Sequence, residues 1–235
     1  DFTIEENNIR YGLNSIKGIS LKSIKSLIDF RGMEFNNKYE VFVAAKQCGI
    51  NISVLSALIQ AGTMDHTKTN RTRMVLEAQS FNLLTDREKR NFSKIGERFG
   101  YDILNAISEV LEKQTLGDDN KRIIVRLLVA LMILQKIYNQ NKKHEMFAKW
   151  RYESSLLGYS YSHNLRECFQ DRFSSLIDLK EVEDLVDRQN FQVVGEVKDF
   201  FTRTSQNGNK YMMLSVSDNT ATKTFLFMDN QREAR

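Results

Sequence analysis

The chain of 235 residues contains no proline, whereas an average usage of about 5% would give roughly a dozen. Proline interrupts helices, so its absence favours a chain that is mostly helical. Glycine occurs 11 times and separates several short segments of helical periodicity. We therefore expect helices joined by glycine turns over most of the chain.

Cysteine is also scarce. The cysteines are Cys48 and Cys168, and neither lies in a CxxC or Cys/His pattern. This spacing excludes a disulfide framework and the usual zinc sites. We therefore expect a reduced, cytoplasmic chain that holds no metal.

Long apolar runs are missing as well. The longest, residues 123–133, is shorter than the roughly 20 residues that span a bilayer, and it contains Arg126. The N-terminus shows no basic segment followed by an apolar one, which a secretory leader would have. No membrane partner is expected.

The charge balance permits a polyanionic partner without requiring one. The net charge is +4 and the pI is about 8.9. A basic surface attracts nucleic acid only where the charges are concentrated. One such concentration is present, because no acidic residue lies between Glu6 and Asp29 while Lys17, Lys22 and Lys25 do.

The periodicity divides the chain into four parts: a helix-hairpin-helix region at 1–76, a helical bundle at 77–150, a connector at 151–189 and a β-module at 190–235. In the first part we expect helices at 9–16, 21–30, 40–47 and 53–61 and from residue 70 onward, with no strand. The bundle pattern rests on Ile103, Ile107, Val110 and Leu111 and on residues 123–137, with a polar loop at 117–120. The connector has helical pieces near 165–173 and 180–186.

From Phe191 the pattern changes to the alternation of β-strands. Asn207-Gly208 is a strong hairpin signal, and Asp218-Asn219 is a weaker one. These signals predict three antiparallel strands, too few to close a five-stranded barrel. The predicted fold is therefore mainly α with a C-terminal β-module.

The segment Lys17-Gly18-Ile19-Ser20 interrupts an apolar-periodic stretch. A glycine turn before a helix presents backbone N–H groups where the helix dipole favours an anion, and Ser20 is a candidate N-cap. Cys48-Gly49-Ile50-Asn51 is a similar element. Together they predict phosphate-binding residues: Lys17, Gly18, Ile19, Ser20, Lys22, Lys25, Gly49 and Asn51. The alternative is an ordinary helical hairpin with solvated lysines.

Four collinear motifs resemble one family. They are IRYGL with IKGI at 9–19, LSALIQAGTMD with NR at 55–71, LGYSYSHNL at 157–165, and VVGEVKDFFTRTSQNGNKYMMLSVSD at 193–218. Together they are similar to the C-terminal region of the bacterial DNA polymerase III alpha subunit, a family C replicative polymerase. Two departures are Ser20, where the family has a second glycine, and Asn164, where it has proline. Residues 77–150 match poorly.

The resemblance implies tandem helix-hairpin-helix motifs that hold duplex DNA and the first strands of an OB-fold that binds single strands. For the latter the candidate residues are Phe201, Arg203, Lys210 and Tyr211, with Phe200 and Phe225 as further aromatics. Barrel core is the alternative role for the aromatics. The family's nucleotidyltransferase carboxylates belong to its palm, so this segment should lack catalysis alone and needs no cofactor, with Mg²⁺ expected in the palm.

The resemblance also implies a sliding-clamp peptide and other replisome partners. The candidate residues are Gln79, Phe81, Leu83 and Leu84, or residues 114–116, and helical core is the alternative for the apolar ones. Outside the family, the chain could be a free-standing accessory DNA-binding protein or a helical protein-interaction scaffold.

No substitute active site is indicated. Adjacent Asp118 and Asp119 should diverge, and a solvated loop is expected for both. His163 lacks a nucleophile pattern and is expected to be structural. Asp65 is expected to cap a helix beside His66, and His144 to lie at a charged helix end.

Overall fold

The computed structural model describes residues 2–6, 8–67, 69–86, 88–89, 96–100, 102, 104–105 and 118–228. The chain divides into two compact units, Asp1–Gly158 and Tyr159–Arg235. The described regular structure of the first unit is helical apart from a short hairpin, and the second unit contains a three-stranded antiparallel sheet. This confirms the predicted fold class.

The first unit begins with strands β1 (Thr3–Glu5) and β2 (Asn8–Arg10) and a 3-10 turn at Leu13–Ser15. The helices that follow are α1 (Leu21–Arg31), α2 (Lys38–Gln47), α3 (Ile52–Gln60) and α4 (Arg71–Asn82). After a 3-10 turn at Gly96–Phe99 come α5 (Asp118–Asn141), a 3-10 turn at Lys142–His144 and α6 (Glu145–Leu157). Helices α1 to α4 were each predicted from the glycine-separated periodicity.

Two expectations in this unit are wrong. The helix predicted over 9–16 is replaced by β2 and the 3-10 turn, because Ile4 and Ile9 are β-branched and pair across a tight hairpin. The polar loop predicted at 117–120 is helical from Asp118, and acidic residues are favoured in the first turn of a helix. The apolar positions 103, 107, 110 and 111 lie outside the described residues.

The core of the first unit joins the two glycine hairpins to α4. Its members are apolar side chains from α1 to α4 with less than a tenth of their surface exposed, including Leu27, Phe42, Leu55, Leu58, Ile59, Met74 and Phe81. Tyr39 contributes a ring 6.1 Å from that of Phe81. Burial of this apolar surface is the main stabilising contribution to the hairpin pair.

The second unit contains α7 (Leu165–Phe169), a 3-10 turn at Leu179–Asp184, β3 (Glu196–Thr204), β4 (Lys210–Ser217) and β5 (Thr222–Met228). The strand order is β3-β4-β5, and within the described residues the sheet is not closed into a barrel. The turn at Asn207-Gly208 joins β3 to β4 as predicted, with Ser205 donating to the Asn209 carbonyl at 2.8 Å. Asp218 lies in the predicted second turn.

Candidate nucleic-acid interface

The first hairpin turn connects the 3-10 turn Leu13–Ser15 to α1. Gly18 has a φ of +91°, a left-handed conformation that side chains other than glycine rarely adopt. On either side of it, Ile16 and Ile19 are buried in the core, whereas Lys17, Gly18 and Ser20 are exposed. Of the predicted phosphate-binding residues, Ile19 therefore has its side chain in the core, while its neighbours face solvent.

The backbone donors of this turn are only partly used inside the protein. The amide of Lys17 donates to the Leu156 carbonyl at 3.0 Å, and the amide of Ile19 donates to the Ile16 carbonyl at 3.1 Å. The amides of Gly18 and Ser20 donate to no acceptor in the described part of the chain. Two backbone donors of exposed residues are therefore not used by the protein's own hydrogen bonds just before α1.

The N-terminus of α1 also lacks the cap that the sequence predicts from Ser20. The Ser20 hydroxyl makes no capping bond to α1 and instead lies 3.1 Å from the Ser23 hydroxyl. Of the first-turn amides of α1, that of Ser23 donates to the Ser20 carbonyl at 2.9 Å, whereas those of Leu21 and Lys22 have no acceptor in the described part of the chain. Such a terminus combines backbone donors with the positive end of the helix dipole, an arrangement that binds phosphate groups.

Positive charge surrounds this terminus. Lys17, Lys22 and Lys25 are all exposed, and none of them forms an ion pair with a residue that the structure describes. No acidic residue lies between Glu6 and Asp29, so the carboxylate nearest to these lysines along α1 is that of Asp29, one helical turn beyond Lys25. The local potential at the turn is therefore more positive than the net charge suggests.

The second hairpin turn, between α2 and α3, has a similar backbone but a closed helix terminus. Gly49 is exposed with a φ of +77°, and its amide donates to the Lys46 carbonyl at 3.0 Å. The Asn51 side chain caps α3 by accepting a bond from the Val54 amide at 2.9 Å. The two turns are therefore not equivalent, since α3 is capped by its own chain and α1 is not.

The two hairpins pack reciprocally. A Cβ atom at Gly18 would lie 3.9 Å from the Cβ of Ala57 in α3. A Cβ atom at Gly49 would lie 3.7 Å from the Oγ of Ser26 in α1. Each turn thus lies close to the second helix of the other hairpin.

A buried ion-pair cluster, which the sequence analysis missed, fixes α4 against α6. Arg71 is 2% exposed, and its guanidinium contacts Glu153, also buried, at 2.5 Å. Asp65 accepts two bonds from the same guanidinium, at 2.9 and 2.6 Å. Asp65 is therefore an ion-pair partner and not the helix cap that we expected. In the sequence, Asp65 precedes Arg71 by six residues. An acid and an arginine at such a spacing are too common to predict a buried ion pair.

A second cluster holds α2 to α4. Glu77 is 1% exposed and lies 2.7 Å from the Lys38 ammonium and 2.9 Å from the Arg73 guanidinium. The hydrophobic periodicity did not predict that Glu77 is buried, because a carboxylate does not count as an apolar position of a helix. The two clusters hold α4 to α2 and to α6, and neither of them involves Lys17, Lys22 or Lys25.

The clamp-peptide candidates lie mostly in the core. Phe81 and Leu84 are 3% and 4% exposed, and Phe81 packs with its ring 5.7 Å from that of Phe42. Gln79 and Leu83 are half-buried. This placement matches the core alternative for the apolar residues. The second candidate, residues 114–116, lies outside the described residues.

The predicted single-strand residues are split between the two faces of the sheet. Phe201, Arg203 and Tyr211 share one face, because Arg203 pairs directly with Tyr211 and alternate residues of β3 point the same way. The Arg203 guanidinium lies 4.9 Å from the Phe201 ring centroid. Lys210 pairs with Thr204 and lies on the opposite face.

That opposite face also carries the two further aromatics. Phe200 is opposite Leu214, and Leu214 is opposite Phe225, so the three side chains form one row. Phe225 is half-buried, with its ring 6.3 Å from that of Phe191, and Phe200 is exposed. Both faces therefore carry aromatic rings and a cation, and on the Phe201 face the cation, Arg203, lies directly over the ring.

The remaining candidates have ordinary structural surroundings. The Nδ1 atom of His163 lies 3.7 Å from Glu167, and Asn164 caps α7 by accepting from the Glu167 amide at 2.8 Å. His66 lies in the 3-10 turn Asp65–Thr67, and His144 ends the turn before α6. Both cysteines are free, and burial raises the pKa of Cys168 to about 11.

Neither a metal-binding cluster nor a membrane-spanning helix occurs among the described residues. No group of three or more His, Cys, Asp and Glu side chains there is placed to hold a metal ion. None of the helices described has both the length and the apolar character needed to cross a membrane.

Comparison with known proteins agrees with this geometry. Residues 1–74 match the family model of the helix-hairpin-helix motif. The DNA polymerase III subunit alpha of Aquifex aeolicus (strain VF5) is 36% identical over 77 residues, which cover 32% of this chain and 7% of that protein. The same subunit of Campylobacter jejuni subsp. jejuni serotype O:2 (strain ATCC 700819 / NCTC 11168) is 21% identical over 213 residues, covering 89% of this chain and 16% of that protein.

These matches span only a small part of each relative. No solved structure shows significant similarity to the chain. The family match covers both glycine hairpins, and the longer alignment runs through nearly all of the chain. Residues 1–74 therefore carry a helix-hairpin-helix motif, and the resemblance of the chain to the C-terminal region of DNA polymerase III subunit alpha is confirmed.

Proposed function

We propose that this chain is a DNA-binding segment of a family C replicative polymerase and that its first hairpin turn grips the backbone of duplex DNA. The observation that carries the proposal is the open N-terminus of α1, where the amides of Gly18 and Ser20 lack acceptors in the described structure. Contacts of this kind go to phosphates and not to base edges, so binding should be independent of sequence.

In this proposal the two hairpins have different tasks. The Gly18 turn binds phosphate directly, with the three lysines Lys17, Lys22 and Lys25 adding diffuse attraction. The Gly49 turn, whose helix is capped by Asn51, lies close to Ser26 and mainly supports α1. Exposed Gly49 and Asn51 contribute at most a secondary contact to the duplex.

The proposal is tested by measuring fluorescence anisotropy of labelled duplexes of unrelated sequence with two variants. Lys22→Glu should weaken binding to every duplex, because it replaces attraction to a phosphate with repulsion. Gly18→Val should do the same, because a valine cannot easily adopt the φ of +91°. Gly208→Val is the matched control, since that glycine has a φ of +80° in the other unit. If both hairpin variants bind the duplexes with wild-type affinity, the first hairpin turn does not contact the DNA.

We propose a second contact, for single-stranded DNA, on the Phe201 face of the sheet. Stacking of a base on the exposed ring and a phosphate contact from Arg203 are the interactions that OB-folds use. Arg203→Ala should weaken binding to a labelled oligothymidylate, while Lys210→Ala, on the other face, serves as the control of equal charge. Equal loss with both variants would show that net charge, and not this face, determines single-strand affinity.

The chemistry of the whole polymerase lies beyond this proposal. We propose that nucleotidyl transfer and its Mg²⁺ ions belong to a palm domain and that this segment raises processivity without a cofactor of its own. The sliding clamp and other replisome subunits stay predicted partners. A chain that binds a protein without salt dependence and has no DNA affinity would instead be an interaction scaffold.

A further inference from the structure

The first unit contains a cavity that the proposed DNA contact does not use. Its volume is about 790 Å³, and small-molecule sites in proteins have roughly 300–1,000 Å³. It lies between the end of α1, the start of α2 and the 3-10 turn Asp65–Thr67, whereas Gly18 and the lysines of the first hairpin turn do not line it. We call it the α1–α2 pocket, and its lining includes Leu27, Phe30, Arg31, Phe35, Lys38 and His66.

The inner wall of the α1–α2 pocket is apolar. It is formed by core side chains of α1, α2 and α3, namely Leu27, Phe30, Val41 and Leu58. Two aromatic rings lie together in the lining, with the centroids of Phe30 and Phe35 5.2 Å apart and an angle of 35° between the ring planes. Aromatic surface of this kind packs well against another flat ring, so the wall favours an aromatic ligand.

The rim of the pocket is positive. Arg31 is exposed at the end of α1, and its guanidinium forms no ion pair or hydrogen bond with a residue that the structure describes. Lys38 is the second cation, but its ammonium lies 2.7 Å from the buried carboxylate of Glu77. Of these two lining cations, Arg31 is therefore the one that is open to a ligand.

The carboxylates near Arg31 in the sequence are not paired with it. Asp29 lies two positions before it in α1, and residues two apart do not face each other on a helix. Glu34 and Glu40 line a second groove instead, and Asp65 accepts two bonds from the buried arginine of α4. None of the described residues that line the α1–α2 pocket is an aspartate or a glutamate, so its rim attracts an anion.

We propose that the α1–α2 pocket binds a small aromatic anion, whose ring packs against Phe30 and Phe35 and whose acidic group is bound by Arg31. A guanidinium binds an acidic group through two parallel hydrogen bonds, which fixes the orientation of the ligand. The apolar wall contributes affinity through the area that it buries, and the arginine selects anions over neutral rings. This site goes beyond the proposed function, because it needs no nucleic acid.

The test uses two fluorescent dyes that share an arylamine ring system. Anilinonaphthalene sulfonate is anionic, and phenylnaphthylamine is its uncharged counterpart. Each dye is titrated with the full chain and with Arg31→Gln, in the absence of DNA. The variant should bind the sulfonate dye about tenfold more weakly, because hydrogen bonds between charged groups are lost, and should bind the neutral dye within about twofold of the wild type.

Two further variants locate the binding site. Lys136→Gln removes the same charge from an exposed position of α5 outside the pocket and should leave the affinity for both dyes within about twofold. Thr69→Trp places a large ring in the pocket from a half-buried lining position and should weaken the binding of both dyes. Circular dichroism checks that each variant is folded. If Thr69→Trp does not fold, the comparison of the two dyes with Arg31→Gln decides by itself.

Three results would overturn the proposed site. The first is a wild-type affinity of Arg31→Gln for the sulfonate dye. The second is an equal weakening of both dyes by this variant, since the loss would then not come from the charge. The third is a loss of sulfonate binding in Lys136→Gln as large as that in Arg31→Gln, because net charge would then account for the affinity. All three leave the hairpin proposal intact, which is tested with duplex DNA.

Discussion

Arg71 illustrates how much a single buried cation determines in the first unit. Its guanidinium is shared by Asp65, Glu153 and the Gln60 carbonyl, which accepts at 3.2 Å. These partners come from the end of the second hairpin and from α6. Because the one guanidinium donates to all three partners, the desolvation cost of the cluster is offset only as long as Arg71 is present.

Arg71→Ala should therefore destabilise the chain by about 3–5 kcal/mol, because it leaves the Glu153 carboxylate buried without its cation. Urea denaturation followed by the fluorescence of Trp150, the single tryptophan, measures this in the first unit. Lys46→Ala, which removes an exposed ion pair to Asp86, is the control and should cost less than about 1 kcal/mol. A loss of the same small size for Arg71→Ala would contradict the role assigned to the cluster.

Asp218 has a comparable role in the turn between β4 and β5. Burial raises the pKa of its carboxyl, but hydrogen bonds from the Leu179 amide and from Thr220 and Ala221 outweigh burial, and the pKa lies below the ordinary 3.8. The Leu179 bond, at 2.8 Å, ties the 3-10 turn Leu179–Asp184 to the sheet. The ionised carboxylate therefore stabilises the folded state.

Asp218→Ala should destabilise the second unit by about 1–3 kcal/mol at neutral pH. A lowered native pKa gives stability that is present above the unfolded value and is lost as the pH falls through the native value. The difference between wild type and variant should consequently shrink below a pH of about 4. Hydrogen exchange of β4 and β5 peptides at several pH values measures it, and a difference that grows on acidification would contradict this account.

At the scale of elements, the close approach of strand β4 to the residue before β3 depends on the absence of a side chain at Gly195. A Cβ atom there would lie 2.3 Å from the Cγ1 of Val216 and 3.0 Å from the Ser217 carbonyl oxygen. One of these neighbours is a buried core residue and the other is backbone, so neither can move away freely.

Gly195→Ala should thus destabilise the sheet by about 1–3 kcal/mol through overpacking. Faster hydrogen exchange in peptides from β3 and β4 is the expected result. Gly32→Ala provides a control, because a Cβ atom at that helix end meets only ordinary contacts at 3.7 Å. If hydrogen exchange is unchanged in Gly195→Ala, the sheet accommodates the added methyl group without a loss of stability.

Local signals in the sequence predicted the elements well where turn chemistry is specific. Gly18, Gly49 and Asn207-Gly208 all lie in turns, and helices α1 to α4 follow the periodicity. The β1–β2 hairpin was missed because three-residue strands are too short to show an alternation. The ion pair between Arg71 and Glu153, which joins α4 to α6, could not be predicted, because its two residues are 82 positions apart in the sequence.

The candidate site was predicted only in part for the same reason. The lysines and Gly18 of the first turn were identified from their neighbours in the sequence, and all of them are exposed. Whether a helix terminus is capped depends on side-chain geometry, so the contrast between Ser20 and Asn51 emerged only from the structure. The separation of Lys210 from Arg203 likewise follows from the strand register.

At the scale of the whole molecule, two compact units carry the two proposed contacts. The first, Asp1–Gly158, presents the hairpin turn, and the second, Tyr159–Arg235, presents the Phe201 face. The matched relatives are far longer than this chain, which covers 7% and 16% of them. The proposal therefore concerns how DNA is held, and it assigns the chemistry of synthesis to other parts of a polymerase.

The most direct test of the central claim is the affinity of the wild-type chain for labelled duplex DNA of unrelated sequences, measured by anisotropy over a salt series without nucleotides. Three lysines at the hairpin turn predict that the logarithm of the binding constant falls linearly with the logarithm of salt concentration, with a slope of about −3 or steeper. The slope should be the same for each sequence, because the contacts are to phosphates. Absence of binding at about 50 mM salt, or an affinity that does not change with salt, would contradict the claim that this segment holds the DNA backbone.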